Sequence, residues 1–153
     1  LAFYGPGKTR NPRDPQRTPG GSSSGSAAAV ADFHVPLAIG SQTAGSILRP
    51  ASYCGVMGFK PTFGAIPLDG VIAQSPPLDT LGSYARSTAD LALLTAVLSG
   101  RPCDRPALPD RPLHLAFVKT PAWHQGDESM RTAFERLAAE NSALIDEVPL
   151  PSA

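Results

Sequence analysis

Two clusters of serine stand among small residues near the start of this 153-residue chain. The first is Gly20-Gly21-Ser22-Ser23-Ser24-Gly25-Ser26, which runs into Ala27-Ala28-Ala29-Val30-Ala31. The second is Ser41-Gln42-Thr43-Ala44-Gly45-Ser46, which follows the apolar run Val35 to Gly40. A serine nucleophile needs an exposed oxygen and backbone N–H groups that converge on the oxyanion formed by attack on a carbonyl. Bulky neighbours would block both, and Thr43, Ala44 and Gly45 are small enough to permit close approach. The glycine-serine loop alone has three readings: a solvated linker, an anion cradle at a helix N-terminus, or part of a hydrolase site. The second cluster favours the hydrolase, with Ser46 as nucleophile.

Other candidate chemistry is weaker. Gly7-Lys8-Thr9 resembles the end of a phosphate-binding loop, but Ala2 stands where the pattern needs its first glycine. A turn with an exposed lysine is the better reading. Asp32 and His34 invite a serine–histidine–aspartate assignment, yet His34 reads better as part of a helix-to-strand turn. Arg49 has two readings: a bidentate anchor for a substrate carboxylate, or one half of a structural ion pair, which is the favoured one. Cys54 reads as buried and inert.

Composition narrows the class. Lys plus Arg and Asp plus Glu number 13 each, so neither nucleic acid nor an anionic membrane has an electrostatic claim on the chain. A hydrophobic fraction of 42% suits a packed core. No apolar run reaches the roughly 18 residues of a spanning helix. Two cysteines point to a reducing, cytoplasmic setting, and the scattered histidines and cysteines form no metal pattern. The opening residue is Leu rather than Met, and both ends read as interior sequence, so a fragment is expected.

The elements that must hold these serines follow from the pattern. Residues 5 to 26 carry four prolines and read as a long loop docking on a helix that begins near Ala27. Val35 to Gly40 reads as a buried strand, followed by a sharp turn in which Gly45 permits an unusual backbone. Residues 65 to 82 read as irregular. Ser87 to Leu98 reads as a helix, with Ser87 and Asp90 at capping-box spacing, Gly100 at its end, and a stripe of Leu91, Leu94, Thr95 and Leu98. A proline-rich connection through Pro102, Pro106, Pro109 and Pro112 follows. Then Leu113 to Val118, Glu128 to Leu144 and Ile145 to Val148 read as a βαβ unit with parallel strands. Its helix should bury Met130, Ala133, Phe134, Leu137 and Ala138.

Three ordered blocks extend the pattern well beyond a short motif. They are Gly20 to Ala31, Gln42-Thr-Ala-Gly-Ser-Ile-Leu-Arg-Pro50, and Cys54-Gly-Val-Met-Gly-Phe-Lys-Pro-Thr-Phe-Gly64. Together they resemble the amidase signature family, and Asp79-Thr80-Leu81-Gly82 and Ala85-Arg86 match its continuation. The dense resemblance covers residues 20–64, and a looser one extends from about 4 to 151. It implies an α/β fold, a mixed β-sheet covered by helices, of which residues 1–153 make an incomplete domain with its signature core at 20–64 and a βαβ segment at about 113–149. It implies hydrolysis of a small linear amide through a serine acyl-enzyme, without metal or organic cofactor. Ser46 falls on the family's nucleophile. Ser22 falls at the family's spacing upstream, on its relay serine, which sits in a cis peptide. The backbone N–H groups of Thr43, Ala44, Gly45 and Ser46 would form the oxyanion hole.

Two departures from the family pattern accompany the resemblance. The family's lysine base lies well upstream of the serine loop, and Lys8, Lys60 and Lys119 are all wrongly placed for it, so the base is expected outside this chain. Ala44 stands where the family most often has glycine, which would strain a left-handed backbone by about 1 kcal/mol or more. The glutamine-hydrolysing amidotransferase subunit of tRNA-dependent amidation is an alternative. Gln42 and the Leu48-Arg49 order depart from that subunit's usual D-T-G-G-S-I-R, so a free amidase is preferred. A non-catalytic fragment is a further alternative. The partner implied is a small-molecule amide, and a homodimer is left open.

Overall fold

The computed structural model describes residues 9–103 and 113–150. The chain divides into two compact units, Leu1–Asp104 and Arg105–Ala153. The expectations for Gly7-Lys8 and for Pro106, Pro109 and Pro112 lie outside the described residues.

In the first unit, helix α1 (Ser24–Ala31) leads to strand β1 (Leu37–Gln42), helix α2 (Leu48–Cys54), strand β2 (Met57–Phe59), strand β3 (Thr80–Ala85) and helix α3 (Thr88–Ser99). The sheet order is β1-β3-β2, and both pairings are antiparallel. Alanine dominates α1, which gives strong helix propensity and a smooth surface. Ala27, Ala28, Val30 and Ala31 are buried against Ile47, Ala51 and Cys54 beside the Tyr84 ring. Successive strand residues face opposite sides of a sheet. Ser83, the neighbour of Tyr84 on β3, accordingly meets Thr95 of α3 at 3.2 Å between hydroxyls. Helices therefore cover β3 from both sides, and five of its six residues are buried.

That central strand corrects the irregular reading of residues 65–82. Thr80, Gly82 and Ser83 carry no apolar alternation because a strand covered on both faces has no solvent side to mark. Strand β1 begins at Leu37, after Pro36, whose missing N–H suits a strand's entry. The loop before α1 is not a free linker. Asn11 is buried and donates to the carbonyls of Thr18 and Tyr53, and Arg13 donates to those of Cys54 and Gly55. The bonds to Tyr53, Cys54 and Gly55 satisfy carbonyls at the C-terminus of α2, where the helix dipole favours a cation. Helix α3 forms as its sequence requires: the Ser87 hydroxyl accepts from Asp90 N–H at 3.1 Å, and Gly100 closes it at φ 64°.

In the second unit, strand β4 (Leu115–Phe117) pairs in parallel with strand β5 (Ile145–Glu147), with helix α4 (Glu128–Glu140) between them in sequence. The class is α/β, as expected. Helix α4 ends at Glu140 and not at Leu144, because side-chain amides compete with the helix ladder for its last carbonyls. Here the Asn141 side chain turns back to donate to the Leu137 carbonyl at 2.9 Å. The helix's expected buried face is only partly covered: Phe134 remains 48% and Leu137 49% exposed. Two three-residue strands are too small to cover a 13-residue helix. The packing that exists centres on Phe117, whose ring meets Trp123 edge-on at 5.4 Å and stacks with Phe134 at 6.4 Å. Among the described residues no helix is long and apolar enough to cross a membrane.

Candidate active site

The glycine-serine loop is fixed at both ends. Gly20 adopts φ +75° and comes so close to α2 that an added Cβ would lie 2.9 Å from Pro50 Cα. Only glycine takes that backbone at no steric cost. The next peptide bond but one, Gly21–Ser22, is cis. Ser23 N–H then donates to the Ser46 carbonyl at 3.3 Å, the Ser23 hydroxyl to the Ser41 carbonyl at 3.2 Å, and the Ser26 hydroxyl to the Ile39 carbonyl at 2.8 Å. These bonds stitch the first turn of α1 to β1 and to the turn that ends at Ser46.

That turn is held from the other side by Gln42. Its side-chain carbonyl accepts from Ile47 N–H at 2.8 Å and Leu48 N–H at 3.0 Å. It thereby caps the start of α2, whose first N–H groups have no partner within the helix. A strand-end residue thus closes a loop over the four residues Thr43 to Ser46. Among the described residues, none of the N–H groups of Thr43, Ala44, Gly45 and Ser46 donates to a protein acceptor. Ala44 has no left-handed backbone, since Phe33 is the only non-glycine at positive φ among the described residues, so alanine costs nothing there. Gly45 also lacks positive φ. An added Cβ there would meet only the end of the Arg49 side chain, a guanidinium nitrogen at 2.8 Å, which can turn away.

An open cavity of about 540 Å³ collects Ser22, Thr43, Ala44, Gly45, Ser46 and Arg49, together with Gln74 and Ser75. Both serines, the whole turn and Arg49 therefore line one space. Arg49 forms no ion pair among the described residues. It donates instead to the Gly21 carbonyl at 3.4 Å, at the cavity's edge. His34 pairs with Asp32 at 3.1 Å on the exposed turn after α1 and does not line the cavity. Lys60 donates to the Pro61 carbonyl and does not line it either. Lys119, in the second unit, pairs with Glu135 and Glu147, which raise its pKa above the ordinary lysine value and hold it charged. Burial pushes the Cys54 thiol up, against the opposing charge of Arg13. That thiol donates to the Pro19 carbonyl at 3.4 Å.

Two residues escape the sequence pattern. Asp79 enters it only as part of a motif. It is buried, and its carboxylate accepts from the Thr43 hydroxyl at 2.5 Å and from the N–H groups of Gln74 and Ser75 at 2.6 and 2.7 Å. The Thr43 bond, then those of Ser75 and Gln74, hold the carboxyl below its usual range against the upward pull of burial. Tyr84 is fully buried and its hydroxyl donates to the Ser46 carbonyl at 3.1 Å. No local pattern marks the bond of Asp79 to Thr43 or of Tyr84 to Ser46, because those partners stand 36 and 38 residues away in sequence.

Burial raises the Tyr84 phenol to about 12 from 10.0, with the Ser23 hydroxyl opposing and Cys54 adding to the rise. A raised folded pKa means that the folded state binds this proton more tightly than the unfolded chain. The stabilisation it brings is complete below pH 10 and is lost as pH rises towards 12. Urea midpoints should fall across that window, and Tyr84→Phe should flatten the fall. At neutral pH the same variant should cost about 1 kcal/mol for the lost bond to Ser46.

The family model described as Amidase matches residues 2–149. The chain is 55% identical over 92 residues to the A subunit of glutamyl-tRNA(Gln) amidotransferase from Clostridium botulinum (strain Eklund 17B / Type B), covering 60% of this chain and 19% of that protein. Among solved structures it is similar to an amidase, at 37% identity and TM-score 0.76, covering 93% of this chain and 33% of the other. It is also similar to the A subunit of glutamyl-tRNA(Gln) amidotransferase from Thermotoga maritima, at 34% identity and TM-score 0.79, covering 94% and 35%. The chain thus spans about a fifth of the length of the curated relative and about a third of each solved one.

Proposed function

We propose, on the premise that this chain belongs to the amidase family, that the whole protein hydrolyses a small linear amide through an acyl-enzyme on Ser46. One observation carries the reading. Ser22, Ser46 and the turn Thr43 to Ser46, whose four N–H groups meet no protein acceptor among the described residues, line a single cavity. Ser46 Oγ attacks the amide carbonyl carbon while Ser22 takes its proton and passes it to a lysine base supplied from elsewhere in the protein. The N–H groups of Thr43 to Ser46 hold the oxyanion. Collapse of the tetrahedral intermediate breaks the C–N bond, and the proton leaves with the amine. Water then attacks the ester and releases the acid. Lys60 stands off the cavity and Lys119 is held charged, so neither serves as that base.

A second reading is favoured by the name of the curated relative, a glutamyl-tRNA(Gln) amidotransferase subunit. In it the same serine frees ammonia from glutamine for a partner complex. Gln42 in place of that subunit's usual aspartate keeps the free amidase ahead. The full-length protein, purified alone, separates the readings through ammonia release and labelling by a serine-reactive fluorophosphonate. Release from simple primary amides supports the amidase. Release from glutamine alone supports the amidotransferase. No release and no labelling overturns both and leaves a non-catalytic chain.

A further inference from the structure

We infer that Asp79 is a positioning residue that anchors Thr43, the first residue of the oxyanion turn, and so fixes where its N–H points, an inference that rests on the amide-hydrolysis reading above. The last rung of the β1–β3 ladder is Gln42 opposite Thr80. Thr43 and Asp79 occupy the next step, and opposed residues of an antiparallel pair exchange backbone hydrogen bonds only at every second step. At this step it is the side chains that join, Thr43 Oγ1 donating to Asp79 Oδ1 at 2.5 Å. Asp79 N–H is used by the Ser75 carbonyl at 2.9 Å, and Thr43 N–H meets no protein acceptor among the described residues. A side-chain link thus extends the pairing one step past the ladder, and the Thr43 N–H stays without an acceptor among the described residues.

The other carboxylate oxygen extends the device. Asp79 Oδ2 accepts from Gln74 and Ser75 N–H at 2.6 and 2.7 Å, and these two residues line the same cavity as Thr43 to Ser46. One buried anion therefore ties two parts of the cavity wall together through three short bonds, the strong, charge-assisted kind. Asp79 does not line the cavity that holds Ser46. It acts through Thr43, so its effect should fall on the oxyanion and not on ground-state binding, where uniform contacts would move KM.

Thr43→Val tests this in the full-length protein, because it removes the hydroxyl, keeps the backbone N–H and barely changes shape. We expect kcat for a small amide to fall at least tenfold with KM within twofold. Fluorophosphonate labelling of Ser46 should slow in parallel. Thr43→Ser, which restores the hydroxyl, should return kcat to within threefold of wild type. Asp79→Asn should accelerate hydrogen exchange at Gln74 and Ser75, a readout that needs no turnover. Equal kcat in wild type and Thr43→Val, equal loss in the Val and Ser variants, or a change in KM alone would overturn the inference. Should the wild type release no amine while exchange responds as expected, the clamp stands as geometry and it is the amidase reading, with the catalytic role built on it, that is overturned.

Discussion

Ser46→Ala is expected to lower kcat for amide hydrolysis by about 10⁴-fold or more, the scale on which serine hydrolases lose activity with their nucleophile. The loss should be chemical and not structural. Among the described residues the Ser46 hydroxyl has no hydrogen-bond partner, whereas its carbonyl accepts from Ser23 N–H and the Tyr84 hydroxyl. The variant keeps that carbonyl, so its melting temperature should stay within about 2 °C of wild type, as for substitutions away from packed or bonded groups. Initial rates on a primary amide and intact-mass labelling by a fluorophosphonate give the two readouts. Labelling that persists in Ser46→Ala would remove Ser46 from the nucleophile's role.

Ser22→Ala is the informative partner of that experiment. The Ser22 hydroxyl also lacks a partner among the described residues, and its carbonyl accepts only from the Ser24 hydroxyl at 3.4 Å. A relay serine contributes on the scale of general acid–base catalysis, about 10² to 10⁴-fold. Two residues that act in one proton path should not lose activity additively, so the double variant should be hardly worse than Ser46→Ala. Independent roles would instead multiply.

The elements legible in the sequence are those whose signal is local. Ser87, Asp90 and Gly100 announce both ends of α3, because capping is a contact between near neighbours in the chain. The small residues between Ser41 and Ser46 announce a turn with close backbone approach. Helix α2 is invisible for the opposite reason. Seven residues hold too few turns for a period, and Pro50 argues against a helix unless it falls in the first turn, as it does here, where no N–H is owed. Strand β3 is hidden by the polar and small residues that a two-sided burial tolerates. Gln42 reads as part of the turn after the strand until its side chain is seen capping α2, and Asp79 reads as one residue of a motif in an irregular stretch until Thr43 arrives from 36 residues away. Spacing thus brings the chemistry-bearing residues into view, while the groups that orient them come from tertiary contacts alone.

Gly82→Ala should give the largest loss of stability of any single methyl added to the first unit. An added Cβ would lie 2.1 Å from the Phe59 carbonyl oxygen and 2.7 Å from Ile47 Cδ1. The end of the Ile47 side chain can turn away, but the carbonyl belongs to β2 and is held by the pairing of Phe59 with Ser83. Relief therefore requires β2 to move off the central strand. Overpacking of this kind costs about 3 kcal/mol, a large share of the roughly 5–15 kcal/mol that keeps a domain folded. Urea unfolding of the full-length protein should show a lower midpoint at unchanged slope. Gly25→Ala is the control, because Gly25 lies in α1 with no atom within 4 Å of an added Cβ. Alanine there should be neutral or stabilising. The rung that carries Gly82 pairs it with Gly40, where an added Cβ would meet Ser23 Oγ and the Tyr84 ring, each at 2.8 Å. The two glycines thus serve different neighbours across one rung. Gly82 admits β2, and Gly40 admits the Ser23 and Tyr84 side chains that anchor the serine loop and the Ser46 carbonyl. A stability loss in Gly82→Ala that leaves the per-molecule rate of the folded fraction unchanged would show that the β2 side of the rung supports the fold and not the site.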